Sequence, residues 1–210
     1  HASMLSMCVM QNLFTPNVLI SANEQSSTVN AMEAYNYNSY EPSPQGTGWT
    51  LWDPNFVNDL DNDCNNSYGI MPITGKRKQQ NWTVNANQPA QFIVIGTRGP
   101  VDGEPDPYSR ANLLHGIERD WKGPVHYGDG HGVVLDTFYP VSSTYITTNG
   151  STKADNIFLE EDDQVVDNDY MPGGSIETGQ GADVILTHIR RHDATDDGSQ
   201  GGSVANFVHD

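Results

Sequence analysis

The sequence predicts an α+β fold in which an N-terminal helix packs on an antiparallel β-sheet fringed by long irregular loops. Apolar residues at helical spacing open the chain, polar sequence broken by Gly and Pro follows, and short apolar runs separated by turn residues fill the second half. At 210 residues the chain fits one domain with a core of its own.

Over residues 1–14, Leu5, Cys8, Val9 and Leu13 recur at helical spacing. Thr15-Pro16 closes the segment, because proline disfavours helix in the residue before it. This stretch reads as the end of an N-terminal helix. Over 23–90 the polarity is mixed, and Pro42, Pro44, Gly46, Gly48 and Pro54 interrupt every candidate element, which predicts an irregular excursion. The sheet is expected over 91–190. Residues 91–95 form a short apolar run of buried-strand length ahead of Gly99-Pro100. Residues 123–127 and 133–138 flank Gly128-Asp129-Gly130, whose composition suits a tight connection, so they predict a hairpin. The last strand is expected over 182–189. Residues 191–210, polar and Gly-rich from 193 to 203, are expected to be mobile.

Charge narrows the partners. With 27 Asp and Glu against 10 Lys and Arg, the formal net charge of -17 repels nucleic acid and anionic membrane surfaces. The sequence holds no apolar run of the roughly eighteen residues that a membrane span needs, so membrane contact is expected only through a helix upstream of His1. Cys8 and Cys64 are compatible with one disulfide and equally with free thiols. Three Asn-x-Ser/Thr sequons make Asn65, Asn81 and Asn149 glycosylation candidates.

Oxygen ligands at alternate positions in Asp59, Asp61, Asp63 and Asn65 resemble the start of an EF-hand calcium loop. Cys64 stands where that loop needs glycine and Ile70 where it needs a closing Glu, so only a calcium site of another type fits, against a solvated acidic loop. Glu160 and Asp162, in a second acidic run, are calcium candidates on the same terms, and Asp102, Glu104 and Asp106 form a third group. His115, His126 and His131 invite a metal-site reading, but strand alternation sends His126 and Tyr127 to opposite faces. The sequence shows no Gly-x-Ser-x-Gly elbow, no phosphate-cradling Gly loop and no cysteine in a catalytic context, and no catalytic residue is assigned. Trp49, Trp52, Trp82 and Trp121, with Tyr35, Tyr37 and Tyr40, fit glycan stacking and, more commonly, core or interface packing.

The wording of the elements resembles a known family. Its pieces are Leu13-Phe14-Thr15-Pro16-Asn17-Val18-Leu19-Ile20-Ser21 after the helix, Asn66-Ser67-Tyr68-Gly69-Ile70-Met71-Pro72, and Gly75-Lys76-Arg77-Lys78. Ile95-Gly96-Thr97-Arg98-Gly99-Pro100, the block from His115-Gly116 through Trp121-Lys122-Gly123 to Tyr127-Gly128-Asp129-Gly130-His131, and Asp155-Asn156-Ile157-Phe158 follow in order. In these the chain resembles bacterial proteins with a prepilin-type N-terminal cleavage and methylation signal, related to type II secretion pseudopilins. The resemblance implies a pilin-like domain at the cell surface or outside the cell, with no catalytic residues, that serves as a structural subunit of a filament or pseudopilus-like assembly. Such proteins polymerise through an apolar helical half that this sequence lacks. Self-association is therefore expected through Met4 and Met7 of the helix and Tyr35, Tyr37 and Trp52 of the excursion. The alternative is a monomeric calcium- or glycan-binding adhesin-type domain.

Overall fold

The computed structural model describes residues 1–42, 50–73, 75–83, 89–115, 120–147, 150–159, 161, 175–176, 183–189 and 205–208. In chain order the elements are α1 (Ala2–Met10), β1 (Tyr68–Ile70), α2 (Gly75–Gln80), β2 (Ile93–Thr97), α3 (Asn112–His115), β3 (Gly123–Tyr127) and β4 (Gly132–Leu135). They continue with β5 (Thr144–Ile146), β6 (Thr152–Ala154), β7 (Ser175–Ile176), β8 (His188–Ile189) and β9 (Ala205–Val208). All named strand pairs are antiparallel, and the fold is α+β. Among the described residues no helix is long and apolar enough to cross a membrane.

Helix α1 buries Leu5 and Val9, four residues apart on one stripe. It ends earlier than Pro16 requires. Asn12 takes φ 57°, the Asn12 amide donates to the Val9 carbonyl and the Leu13 amide to the Cys8 carbonyl, a Schellman stop in which Asn does the work usually given to Gly. Leu13 therefore lies beyond the helix. Pro16 instead opens a 3-10 turn, Pro16–Leu19.

The main sheet runs β1-β2-β3-β4 in sequence order. A register shift between Ile93 and Ile95 places Ile93 opposite Tyr127 and Ile95 opposite His126. In a regular strand the two isoleucines would share a face, whereas the bulge sends them to opposite sides. Ile95 joins Ile70 in packing against Leu5 and Val9 of α1. Ile93 joins Val125, Tyr127, Trp121, Phe158, Val184 and Leu186 on the other side. The sheet is thus covered twice, by the helix and by the segment leading to β8.

That segment is mostly not a strand. Of the expected strand 182–189, His188 and Ile189 form β8 and Thr187 makes a single bridge to Ile70, while Val184, Ile185 and Leu186 are buried without ladder pairing to the main sheet. The close approach depends on Gly69 and Gly96, which are cross-strand partners. A Cβ on Gly69 would lie 3.0 Å from Leu186 Cβ, and one on Gly96 2.7 Å from Val125 Cγ1 and 3.1 Å from Leu186 Cδ1. The hairpin forms as expected in β3, but β4 ends at Leu135 rather than Phe138, and β2 begins two residues later than the apolar run. The excursion 23–90 contains β1 and α2, which its polarity concealed. The tail, expected to be mobile, contributes β9, which pairs with β7 and β8. Residues 190–204 lie outside the described residues.

Gly96→Ala should destabilise the chain by about 1–3 kcal/mol, the range for overpacking a filled interior. Urea unfolding measures this, and an unchanged midpoint would mean that neither Val125 nor Leu186 closes on Gly96.

Candidate functional site

A cavity of about 500 Å³ opens where the chain enters β3 and leaves β4, closed on its far side by the loop before α3. Asp106, Asp120 and Asp136 line it with Lys122, Trp121 and Tyr139. Carboxylates outnumber the one ammonium, so the lining suits a cationic or polyhydroxylated group over an anion. Trp121 is not a free stacking platform. Its indole N–H donates to the Arg98 carbonyl at 2.9 Å, and its ring packs edge-on against Phe138 and Phe158 at 5.8 and 5.0 Å. Tyr139 is the half-exposed ring at the rim, and its hydroxyl accepts from Asn156 Nδ2 at 3.3 Å.

Two buried ion pairs flank this region. Arg77, on α2, donates through Nε to the Asp183 carbonyl at 2.7 Å and through its guanidinium to the Asp183 carboxylate, and both side chains are sealed from solvent. The other Asp183 oxygen accepts the Glu161 amide at 2.7 Å. Beside it Asp155 accepts the Val184 amide at 2.8 Å through Oδ2, while Oδ1 is buried with no hydrogen-bond partner among the described residues. Burial first, and then the neighbouring Asp183 carboxylate, push the Asp155 carboxyl up to about 8. The second pair joins Arg98, just past β2, to Glu24, with one contact at 2.9 Å. Burial pushes Glu24 up, but the Arg98 guanidinium and the Ser26 amide outweigh it and hold the carboxyl down at about 2. These pairs tie α2 to the segment before β8, and the excursion to the sheet.

The sequence-based candidates are distributed over the molecule. Asp59 Oδ1 accepts the Asp61 amide at 3.2 Å and Oδ2 accepts Asn62 Nδ2 at 2.9 Å, so the alternating acidic run is an Asx turn closed on itself. Asn65 is spent on Val57 and Asn30. Among the described residues no group of three or more His, Cys, Asp or Glu is placed to hold a metal, and Asp59, Asp61 and Asp63 do not converge. Glu160, Asp162 and Asn149 lie outside the described residues.

Cys8 and Cys64 are free thiols, not a disulfide. Cys8 sits on α1, whereas Cys64 packs with Val29 and Leu60 and donates to the Asn66 carbonyl at 3.1 Å. Burial pushes the Cys64 thiol up to about 12, which leaves it protonated and inert. His126 points to solvent and Tyr127 inward, as alternation requires, and His131 stacks on Tyr127 at 4.3 Å. The Asn65 side-chain nitrogen that a glycan would occupy donates to the Asn30 carbonyl, and that of Asn81 contacts Met71 Sδ at 3.7 Å.

The self-association candidates divide. Met4 and Tyr35 are turned to the interior, Met4 against the α1 cluster and Tyr35 donating to the Ser6 carbonyl at 2.6 Å. Trp52 is half-buried, while Met7 and Tyr37 are exposed. Sequence reasoning missed both buried arginines, because Lys76-Arg77-Lys78 reads as a solvated basic run. Comparison with protein-family models, with curated proteins and with solved structures gives no match.

The two carboxyls set opposite pH dependences. Glu24, depressed in the fold, contributes stability above its ordinary range that is lost as pH falls from about 4.5 towards about 2. Asp155, raised in the fold, favours the native state at low pH, and that contribution is lost as pH rises from about 4 to about 8. Glu24→Gln should therefore cost about 3–5 kcal/mol near neutrality, as for a broken buried pair, and converge on wild type near pH 2. Asp155→Asn should be near neutral in acid and increasingly more stable than wild type as pH rises from about 4 to about 8, with the difference levelling off above that. Chemical denaturation across pH checks both, and parallel curves for Asp155→Asn and wild type would contradict the assignment.

Proposed function

We propose that this chain is a non-catalytic, pilin-like structural domain that assembles with copies of itself at the cell surface or outside the cell. The observation that carries this reading is α1, which lies on one face of an antiparallel sheet while leaving apolar side chains on its outer side and at its end. Met7 is 41 % exposed and Leu13, just past the cap, 70 % exposed, more apolar surface than packing on the sheet consumes. The residue resemblance to prepilin-like proteins agrees with that arrangement. Support for a non-catalytic role comes from the groups that look reactive. The thiol of Cys64 is held protonated, the Arg77 and Arg98 ion pairs are interior braces, and the contact of His131 Nδ1 with Asp129 Oδ1 at 2.6 Å is at the surface of a turn.

A second reading, a glycan-binding adhesin domain, has the cavity beside Tyr139 and its carboxylates in its favour. Microscopy separates the two, since a subunit forms filaments and an adhesin domain stays dispersed. Met4 is unsuitable for mutation because it packs inward. Met7→Asp with Leu13→Asp should abolish filaments seen by negative stain while leaving the circular dichroism spectrum unchanged. Filaments that survive both changes would remove the helix from the contact.

A further inference from the structure

The tract from β4 to β6 combines few charges with exposed apolar side chains. From His131 to Thr152 the sole Asp, Glu, Lys or Arg is Asp136, in a chain that is 18 % charged. The same tract carries Val133, Val134, Tyr139, Val141 and Ile146 as exposed large apolar residues, Val134 at 61 % and Val141 at 99 %. Strand β4 opens the tract and forms one edge of the main sheet. Val133 and Val134 alternate to opposite faces and both are exposed, while Leu135, on the Val133 face, is half-buried against the core.

Edges of this kind are normally guarded by lysine, proline, a bulge or a covering segment. Gly132-Val133-Val134-Leu135 contains no charge and no proline, and its pairing with β3 runs through four consecutive partners without a register shift. Among the described residues no strand or isolated bridge pairs with its outer side. The backbone groups on that side are placed to continue a ladder.

We propose that β4 is a strand-addition site whose occupant is the β4 strand of a second copy of this chain. This rests on the self-assembly reading above and supplies a lateral contact distinct from α1. Charge selects the occupant. A basic partner would be drawn to the carboxylate-rich surface, whereas two copies at -17 each approach most readily through stretches that carry few charges, and of these the tract from His131 to Thr152, with Asp136 as its one carboxylate, holds the open edge of the main sheet. Geometry agrees, because strand addition pairs the open backbone of the edge and sets new side chains beside those on each face, which a flat docking contact does not. Antiparallel pairing of β4 with β4 about a two-fold axis joins two four-stranded sheets into one continuous sheet and brings the valines of the two strands side by side. The remaining repulsion is long-range, so the contact strengthens as salt shortens the screening length to about 8 Å near physiological ionic strength.

Hydrogen exchange read by mass spectrometry, on the full chain at low and high protein concentration, tests this directly, with sedimentation in parallel. The expected result is association that grows with concentration and salt, with exchange at residues 132–135 slowed by at least about tenfold, the change expected when bound copies outnumber free ones by that ratio. Val134→Lys, which installs an edge guard at an exposed position, should abolish both effects and keep the monomer's circular dichroism spectrum. Association without added protection at 132–135 would overturn the β4 contact and leave self-assembly standing. Chains that stay monomeric under all conditions would overturn both.

Discussion

Arg77 and Asp183 lie 106 residues apart in the chain, and both side chains are removed from solvent. Neither tolerates that position alone, because an unpaired buried charge costs several kcal/mol. Where one goes the other must follow, so α2 and the segment before β8 are held together. Asp183 also accepts the Glu161 amide, and the next residue, Val184, donates to Asp155. From that anchor Val184, Ile185 and Leu186 run into the interior, and Leu186 meets Gly69 and Gly96 where no larger residue fits. The core around Ile93, Trp121 and Phe158 depends on this sequence of contacts.

Electrostatics and packing are linked through a scarce resource. The chain has 10 Lys and Arg, and two of the arginines are interior. With those cations enclosed among their own carboxylate partners, the surface is left with few positive charges to offset its Asp and Glu. Like-charged copies then repel except where the carboxylates are absent. The contacts proposed at β4 and α1 lie in stretches of sequence that carry few charges. The interior thus holds neutral ion pairs, and the net negative charge lies outside them.

Parts of this were legible in the sequence. The β3–β4 hairpin was readable because Gly128, Asp129 and Gly130 supply a tight connection, and Gly130 indeed takes φ +88°. The helix was readable from Leu5 and Val9, but its end was not, because a left-handed Asn12 is a weaker mark than Pro16. Strand β1 is three residues long and α2 offers no apolar face, so periodicity had nothing to register. The bulge at Ile93–Ile95 defeats alternation as a guide to which face is buried. At the sites, alternating Asp59 and Asp61 follow the spacing of a calcium loop and of an Asx turn alike, and the hydrogen bonds of Asp59 decide for the turn. Whether an arginine is inside or outside depends on a partner distant in sequence, which local composition does not encode.

The Arg77–Asp183 pair fixes the core around Ile93, Trp121, Phe158 and Leu186, and a double-mutant cycle reads its strength. Stabilities of wild type, Arg77→Met, Asp183→Leu and the double variant give the coupling between the two side chains. The pair as described predicts a coupling of about 2–3 kcal/mol, with the double variant less damaged than the sum of the single ones. Single changes that add to within about 0.5 kcal/mol would show that the two residues act independently, and the account built on their contact would be wrong.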